Sequence, residues 1–315
     1  MPHLLYPPAV PSSAGISVIA PASFAKQERV DSGLANLSAL GYAPSLGVHT
    51  LERGPHFFAG SPAQRLADLH AAFVNPNTSA VMALRGGYGS NYLLDGLDLE
   101  LIRSHPKPFF AYSDLTGVQL HLLDHLGLPA FHGPMLAADF YLEDGVHMPS
   151  YQAALAGQPY SVGASEGLRI LKPGKASGTP IQGTLSGGCL SILVSLLGTP
   201  WEPQTEGKLL FLEDTGAKPY QIDRMLWQLR HAGKLNGICG LIFGEMLDCA
   251  SPGAPPELLD EVILRVFENF EGPIAIGLRS GHVSRNNVTL TFGVQAELCV
   301  SPNPELRILE PAVHP

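Results

Sequence analysis

Residues 109–117 read FFAYSDLTG, and this stretch decides the class of fold. Its first residues are apolar and predict a buried strand over 108–112. The serine that follows stands just before a predicted helix over 115–126, which Gly127 closes. A buried strand that leads directly into a helix is the building unit of α/β proteins.

The same unit recurs earlier in the chain. Strands are predicted over 16–20 and 80–84, and an apolar stripe between them predicts a helix that ends before Gly41. Another helix is expected to begin at residues 61–64 (SPAQ), where serine, proline and glutamine are spaced as in a capping box. Repeated strand–helix units predict a mostly parallel sheet that is covered on both faces.

The second half of the chain continues with strands and helices. The predicted helices are 186–197, 220–232 and 256–270, and the predicted strands are 208–212, 238–243, 274–277, 288–292, 297–300 and 307–309. Between the halves, residues 143–180 are rich in Gly, Pro and Ser and show little periodicity. We therefore expect an N-terminal α/β domain over 1–145, a linker over 146–180 and a C-terminal β/α domain over 181–315.

The composition is that of a globular protein and excludes several classes of partner. The chain has 315 residues, of which 45% are hydrophobic, and its 19 Lys and Arg against 28 Asp and Glu leave a net charge of −9. Nucleic-acid binding needs clustered basic residues that are missing here. No segment approaches the ~20 apolar residues of a membrane span, and the first residues lack a basic targeting segment. The four cysteines form no C-x-x-C pair. We expect a cytoplasmic protein that binds neither nucleic acid nor membrane.

Polar residues directly after predicted strands are the candidates for chemistry, because ligands of open α/β sheets bind at the carboxyl ends of strands. Ser113 stands at such an end and at the start of a helix. It is therefore either a nucleophile or the N-cap of that helix. The glycine-rich loop 85–89 (RGGYG) follows another strand and is either an oxyanion-binding loop or a tight turn.

Two further strand ends supply a carboxylate and an imidazole. Glu213 and Asp214 end a strongly apolar strand, and His282 follows Gly281 beyond another strand. A buried carboxylate needs a partner such as histidine, and a histidine can act as a general base. Together with Ser113, these groups are the set that nucleophilic acyl transfer requires.

A pair of histidines suggests a metal site but does not complete one. His121 and His125 are four residues apart on a predicted helix and would share one face. The zinc-binding motif H-E-x-x-H has glutamate after its first histidine, where this chain has Leu122, and no third ligand is evident. We expect no metal there.

Six motifs occur in a recognisable order. In the first half they are ALRGGYG at 83–89, YSDLT at 112–116 and HGPM at 132–135; in the second half they are FLED at 211–214, YQIDRML at 220–226 and GH at 281–282. In sequence and order these motifs resemble the LD-carboxypeptidase family of serine peptidases. The resemblance extends from about residue 15 to residue 309, and the agreement of several separated motifs argues against chance.

The resemblance implies a fold and a set of site residues. The implied fold is a flavodoxin-like, parallel-sheet N-terminal domain followed by a smaller C-terminal domain of mixed strands and helices. The implied triad is Ser113 as nucleophile, His282 as base and Glu213 as the residue that orients the base. Backbone amides form the oxyanion hole of the family, and by position we assign them to Gly87 and Asp114.

The resemblance also implies an activity. Family members remove the terminal D-alanine from cytoplasmic murein tetrapeptides, typically act as homodimers, and need no metal or organic cofactor. An exopeptidase must bind a free carboxylate, and Arg85 is the nearest candidate along the motif. Anchoring of the glycine-rich loop is the alternative role for Arg85.

The chain departs from the family pattern at Val283 and Ala111, where the family often has glycine, but neither change removes a catalytic atom. A related branch hydrolyses peptide–nucleotide antibiotics and tends to hold the nucleobase with an aromatic residue, often Trp, from the linker. The predicted linker offers Tyr151 and Tyr160 but no Trp, which favours peptidoglycan recycling. A non-enzymatic two-domain binder of small molecules is the other alternative.

Overall fold

Two β-sheets form the framework of the computed structural model, which describes residues 3–175, 179–250, 253, 255, 257–301 and 303–314. The first sheet has six strands and the second has eight. No helix in this described part of the chain has the length and apolar character needed to cross a bilayer.

The first sheet is parallel except at one edge. Its parallel strands are β1 (Gly15–Ile19), β2 (Ala43–Leu46), β3 (Ala80–Ala83), β4 (Phe109–Ala111) and β5 (Ala130–His132), and its helices are α1 (Gln27–Ala39), α2 (Pro62–Val74), α3 (Leu99–Ser104) and α4 (Thr116–Leu126). The strand order β5-β4-β3-β1-β2 is that of flavodoxin-like sheets, so the predicted fold class is confirmed.

Local signals in the sequence set the ends of these helices. At the start of α2, the Gln64 amide accepts a hydrogen bond from Ser61 N at 2.8 Å, and Ser61 Oγ accepts one from Gln64 N at 3.3 Å. The predicted capping box is therefore confirmed. At the end of α4, Gly127 takes a left-handed conformation with φ 72°, which a glycine adopts without a steric penalty.

The second sheet surrounds a parallel centre with antiparallel edges. Its strands are β6 (Tyr160–Gly163), β7 (Arg169–Lys172), β8 (Ile181–Cys189), β9 (Lys208–Glu213), β10 (Gly240–Gly244), β11 (Ile274–Leu278), β13 (Gln295–Cys299) and β14 (Glu305–Ile308), in the order β6-β14-β13-β8-β9-β10-β11-β7. Helices α6 (Leu190–Ser195), α7 (Pro219–His231) and α8 (Leu258–Val266) follow strands of the parallel centre. Pro256, the predicted start of the last helix, lies outside the described residues.

The stretch predicted as a linker contains regular structure. Helix α5 (Met148–Ala156) lies in it, and so do β6 and β7, the two edge strands of the second sheet. Each of these strands has only four residues and is partly exposed, so it carries little of the periodicity that predicts strands. Residues 176–178 of the stretch lie outside the described part. The domain boundaries themselves stay a prediction.

The helix predicted from residue 186 is wrong at its start. Strand β8 continues to Cys189, and α6 begins at Leu190. Gly187 and Gly188 have φ of 140° and 136°, and a Cβ on Gly187 would lie 1.8 Å from the carbonyl oxygen of Phe211 on the neighbouring strand. The two glycines therefore serve a close strand approach, which an apolar sequence pattern does not reveal.

A strand from the C-terminal part of the chain joins the first sheet. Strand β12 (Leu290–Phe292) pairs antiparallel with β5, and Leu290 stands opposite His132. One apolar cluster extends from Ile16 in the first sheet to Leu241 in the second. The two sheets therefore share a core next to the ends of β4, β5 and β9.

Candidate active site

The predicted site residues lie just beyond the carboxyl ends of four parallel strands. Ser113 follows β4, the glycine-rich loop follows β3, Glu213 is the last residue of β9, and His282 follows β11. This is where ligands of parallel sheets bind, since side chains and loops from adjacent strands meet there.

Ser113 has a strained backbone. It opens a 3₁₀ turn, Ser113–Leu115, with φ of 66°, an unusual value for a residue with a side chain. Helix α4 begins only at Thr116, with Leu115 at the N-cap and no side-chain capping hydrogen bond. The N-cap alternative for Ser113 is therefore wrong, and the strain marks Ser113 as a functional candidate.

The glycine-rich loop packs directly against Ser113. A Cβ on Gly86 would lie 2.7 Å from Ser113 Cβ and 2.9 Å from its Oγ, so a glycine is required for this approach. Ser23 holds the loop from the end of β1: its N–H donates to Gly86 O at 3.3 Å, and its Oγ accepts from Tyr88 N at 3.1 Å. The loop therefore lies within contact distance of the hydroxyl.

The two residues assigned to the oxyanion hole adjoin the contact between Ser113 and the glycine-rich loop: Asp114 follows Ser113, and Gly87 follows Gly86. Gly87 has φ of 112°, and a Cβ there would lie 2.3 Å from Ser23 Oγ, so the loop closes tightly around it. The carboxylate of Asp114 accepts a hydrogen bond from Ser90 N at 2.8 Å, which directs this side chain toward Ser90. Burial raises the pKa of that carboxyl group. The donor that Asp114 can offer an oxyanion is therefore its backbone N–H.

Arg85 lines a surface pocket of about 330 Å³ next to this loop, together with Ser23, Phe24, Phe57, Gly87 and Tyr88. Its guanidinium Nη2 lies 3.7 Å from the position of a Cβ on Gly87. The first residue of the loop that contacts the candidate nucleophile is therefore a cation.

Glu213 and His282 form a hydrogen-bonded pair of which the carboxylate is buried. Glu213 Oε2 accepts hydrogen bonds from His282 Nδ1 at 2.7 Å and from His282 N at 3.0 Å. Glu213 is completely buried. Residues 279–289 between β11 and β12, which we call the histidine loop, wrap around it, and Gly281 permits this because a Cβ there would lie 2.6 Å from the carboxylate carbon. The resemblance to the LD-carboxypeptidase family implied this pair, although the two residues are 69 positions apart.

The charges of the pair stabilise each other. Burial is the largest single effect on Glu213 and favours its neutral form, but the charge and hydrogen bonds of His282, with His132, outweigh it and lower the pKa of Glu213. Burial likewise disfavours the imidazolium of His282, but Glu213, Asp214 and Asp139 outweigh it and raise the pKa of His282. Glu213 is therefore suited to orient a base and to stabilise its protonated form.

Tyr112 joins the two sides of the site. Its ring meets the His282 ring edge to face at a centroid distance of 5.2 Å, and Ser113 is the next residue along the chain. Among the described residues no hydrogen bond joins Ser113 Oγ to His282. Such contacts are often long in the absence of substrate and shorten when it binds.

Three buried residues near the pair were not predicted as site residues. Asp139 accepts a hydrogen bond from Asn287, and Asn287 also donates to the carbonyl oxygen of Gly281, the residue before His282. His132 is completely buried beside Tyr112, and burial lowers its pKa to about 4, so the ring is neutral. HGPM at 132–135 signalled the neighbourhood, but nothing in the sequence indicated that these residues meet the catalytic candidates.

The two histidines predicted to share a face of α4 lie next to each other. The rings of His121 and His125 lie 4.3 Å apart, and His125 Nδ1 contacts the carbonyl oxygen of His121. Within the described ranges, no group of three or more His, Cys, Asp and Glu residues is arranged to hold a metal ion.

Comparison with known proteins identifies relatives over nearly the whole chain. The LD-carboxypeptidase N-terminal domain matches residues 16–133, and the LD-carboxypeptidase C-terminal domain matches residues 182–298. A probable murein peptide carboxypeptidase of Bacillus subtilis (strain 168) is 37% identical over 297 residues, which are 93% of this chain and 91% of that protein.

Two further relatives differ in what they are named for. The crystal structure of muramoyltetrapeptide carboxypeptidase from Oxalobacter formigenes has a TM-score of 0.82 and 29% identity, and covers 95% of this chain and 99% of that one. The microcin C7 self-immunity protein MccF of Escherichia coli is 27% identical over 328 residues, with 93% of this chain and 92% of that protein covered.

Proposed function

Because the chain belongs to the LD-carboxypeptidase family, we propose that it is a serine peptidase that releases the terminal D-alanine of a murein tetrapeptide. The observation that carries the proposal is the hydrogen bond between Glu213 and His282, whose ring packs against Tyr112, the residue before the strained Ser113. A carboxylate, an imidazole and a hydroxyl at or beyond the carboxyl ends of β9, β11 and β4 are the groups of a serine-hydrolase triad.

In the proposed reaction, His282 Nε2 accepts the proton of Ser113 Oγ while that oxygen attacks the carbonyl carbon of the scissile bond. Glu213 accepts the hydrogen bond from Nδ1, keeps the ring in the required tautomer and stabilises the imidazolium that forms. The backbone N–H groups of Gly87 and Asp114 donate to the oxyanion. His282 then gives its proton to the amine of the leaving D-alanine, and water hydrolyses the acyl-enzyme.

Arg85 would bind the carboxylate that an exopeptidase must recognise. It lines a pocket together with Gly87, which is assigned to the oxyanion hole, and a guanidinium pairs well with a carboxylate. Arg85→Ala is therefore expected to raise KM for the tetrapeptide with a smaller effect on kcat.

The first test is release of D-alanine from a murein tetrapeptide. A tripeptide and an all-L tetrapeptide serve as controls, since neither contains the L–D bond at its end. Ser113→Ala should reduce turnover by ~10⁴-fold or more, and Ser113→Ala combined with His282→Ala should be hardly worse than either alone. Full activity of Ser113→Ala would refute the triad.

An immunity-type hydrolase of peptide–nucleotide antibiotics is the alternative enzyme, given the relative named for self-immunity. The aromatic residues of the predicted linker do not support it. Tyr151 is completely buried, and the hydroxyl of Tyr160 donates to the carbonyl oxygen of Thr289 at 2.8 Å. A side-by-side assay with an aminoacyl sulfamoyl adenosine and the tetrapeptide decides between the two substrates.

A non-enzymatic binder is the alternative outside enzymes. A serine-directed electrophile should label Ser113 of an active hydrolase, whereas a serine with no activating base does not react. The cytoplasmic location and the homodimer stay predictions. The molecular mass of the protein in solution tests whether it is a dimer.

A further inference from the structure

A buried carboxylate connects the two halves of the candidate site. Asp139 Oδ1 accepts hydrogen bonds from the hydroxyl of Tyr112 at 3.3 Å and from Asn287 Nδ2 at 3.0 Å. Its other oxygen, Oδ2, accepts from Met135 N at 2.8 Å. We call Tyr112, Asp139 and Asn287 the Asp139 bridge; all three side chains are buried.

One end of the Asp139 bridge holds the histidine loop. The side chain of Asn287 accepts a hydrogen bond from Gly281 N at 3.0 Å and donates one to Gly281 O at 3.1 Å. Both polar groups of the residue before His282 are therefore fixed by one amide. Asp139 orients this amide in turn, because Asn287 Nδ2 donates to Asp139 Oδ1 as well as to Gly281 O.

The other end of the Asp139 bridge is Tyr112, the residue before the candidate nucleophile Ser113. Tyr112 is covalently joined to Ser113, and its ring packs edge to face against His282. The hydroxyl bond to Asp139 restrains the rotation of this ring. The bridge thus links β4, the turn Leu136–Phe140 after β5, and the loop after β11, three parts of the chain that are far apart in sequence.

We propose that Asp139 is a positioning residue that holds Ser113 and His282 in register through Tyr112 and Asn287. The inference rests on the proposed function, because it assigns a task within that triad. Asp139 would act through its neighbours without touching the substrate. A displacement of ~1 Å at such a site costs on the order of 10²-fold in rate.

The charge of Asp139 also bears on the base. Burial raises the pKa of Asp139 to about 6, against the opposing effects of its hydrogen bonds, and the ionised carboxylate contributes to the raised pKa of His282. The other ionisable groups that act on His282 or adjoin it are Glu213, Asp214, His132 and Tyr112. Loss of the Asp139 charge should therefore lower the pKa of His282, while Glu213 keeps it partly raised.

Asp139→Asn separates these roles from packing, because it keeps the volume of the side chain. An asparagine cannot accept from Met135 N and from Asn287 Nδ2 at the same time, since one of its two positions becomes a donor. We expect kcat to fall by ~10²-fold with KM within about threefold of wild type. The acid limb of the pH profile of kcat/KM should move to lower pH, because the base loses a proton more easily.

Two pairs of variants, each a test and its control, separate the bridge from a general loss of buried polar groups. Asp68→Asn removes another buried carboxylate, which accepts from His49 N, and should leave kcat and the pH limb unchanged. Tyr112→Phe removes only the hydroxyl of the bridge and should lower kcat by about tenfold with KM unchanged. Its control is Tyr151→Phe, whose buried hydroxyl has no hydrogen-bond partner within the described chain.

The outcome separates this inference from the proposed function. If wild type releases D-alanine and Asp139→Asn matches it in kcat and pH limb, the positioning role is wrong and the triad stands. If wild type releases none, NMR titration of the His282 ring in both proteins replaces the kinetic test, and an unchanged titration refutes the coupling. Should Asp139→Asn lose its cooperative melting transition, an unchanged kcat in Tyr112→Phe relative to Tyr151→Phe would refute the role.

Discussion

The carboxylate of Glu213 combines a negative charge with complete burial. It is fully buried at the end of an apolar strand, and Oε1 has no hydrogen-bond partner among the described residues. An unpaired buried carboxylate would be costly, so its ionised form depends on the two hydrogen bonds from His282 and on the nearby charges. The hydrogen bond between Glu213 and His282 Nδ1 therefore both orients the imidazole and stabilises the carboxylate.

This coupling predicts the pH dependence of activity. The base must be neutral to accept a proton, and the pKa of His282 is raised above its ordinary 6.5, so wild-type kcat/KM should fall as the pH drops through a value above 6.5. In Glu213→Gln the imidazolium loses its main stabilising charge, and the limb should move to lower pH. The same variant should lower kcat by roughly 10⁴-fold, because the tautomer of His282 is no longer fixed.

The pH–rate profiles of wild type, Glu213→Gln and Glu202→Gln measure this effect. Glu202 pairs with Lys234 outside the site, so its variant should retain the wild-type limb. An unmoved limb in Glu213→Gln would exclude Glu213 as the partner that sets the pKa of the base.

Strand β8 shows how an element depends on residues that lack a side chain. A Cβ on Gly188 would lie 2.5 Å from Thr116 Cγ2, at the start of α4, and Thr116 Oγ1 accepts a hydrogen bond from Cys189 N at 3.1 Å. The strand of the second sheet therefore touches the helix that follows the nucleophile. The apolar residues after Gly188 therefore form a helix only from Leu190 onward.

We expect Gly188→Ala to destabilise the protein by about 3 kcal/mol, through backbone strain at φ 136° and the clash with Thr116. Gly216→Ala is the matched control: its φ is 69°, but a Cβ there meets nothing within 4 Å, so it should cost about 1 kcal/mol. Urea unfolding of both variants gives the difference. Equal losses would contradict the extra cost expected from strain at φ 136° and from the contact with Thr116.

At the scale of the whole molecule, the two sheets are joined by more than covalent connections. Strand β12 lies in the first sheet although the chain around it belongs to the second, and apolar residues of both sheets form one cluster. Separation of the two sheets would expose β5, which pairs with β12, and the shared apolar cluster to water. Domains that share a core in this way are expected to unfold together.

Unfolding in urea should therefore be a single transition. Far-UV circular dichroism reports on both sheets, whereas tryptophan fluorescence reports on Trp201 and Trp227 in the second half of the chain. The two probes should give the same midpoint. Two separate transitions would instead support independent domains with boundaries near residues 145 and 181.

The sequence by itself determined the strand–helix alternation, the capping of α2, and the residues at strand ends that now form the candidate triad. These follow from local periodicity and from the rule that parallel strands end on one side of a sheet. The tertiary structure alone decided the extension of β8, the crossing of β12 and the Asp139 bridge. Asp139 and Asn287 are 148 positions apart, and no local pattern encodes a hydrogen bond between them. The reason is physical: local preferences depend on neighbours in the chain, whereas buried polar groups take whichever partners the folded core brings within reach.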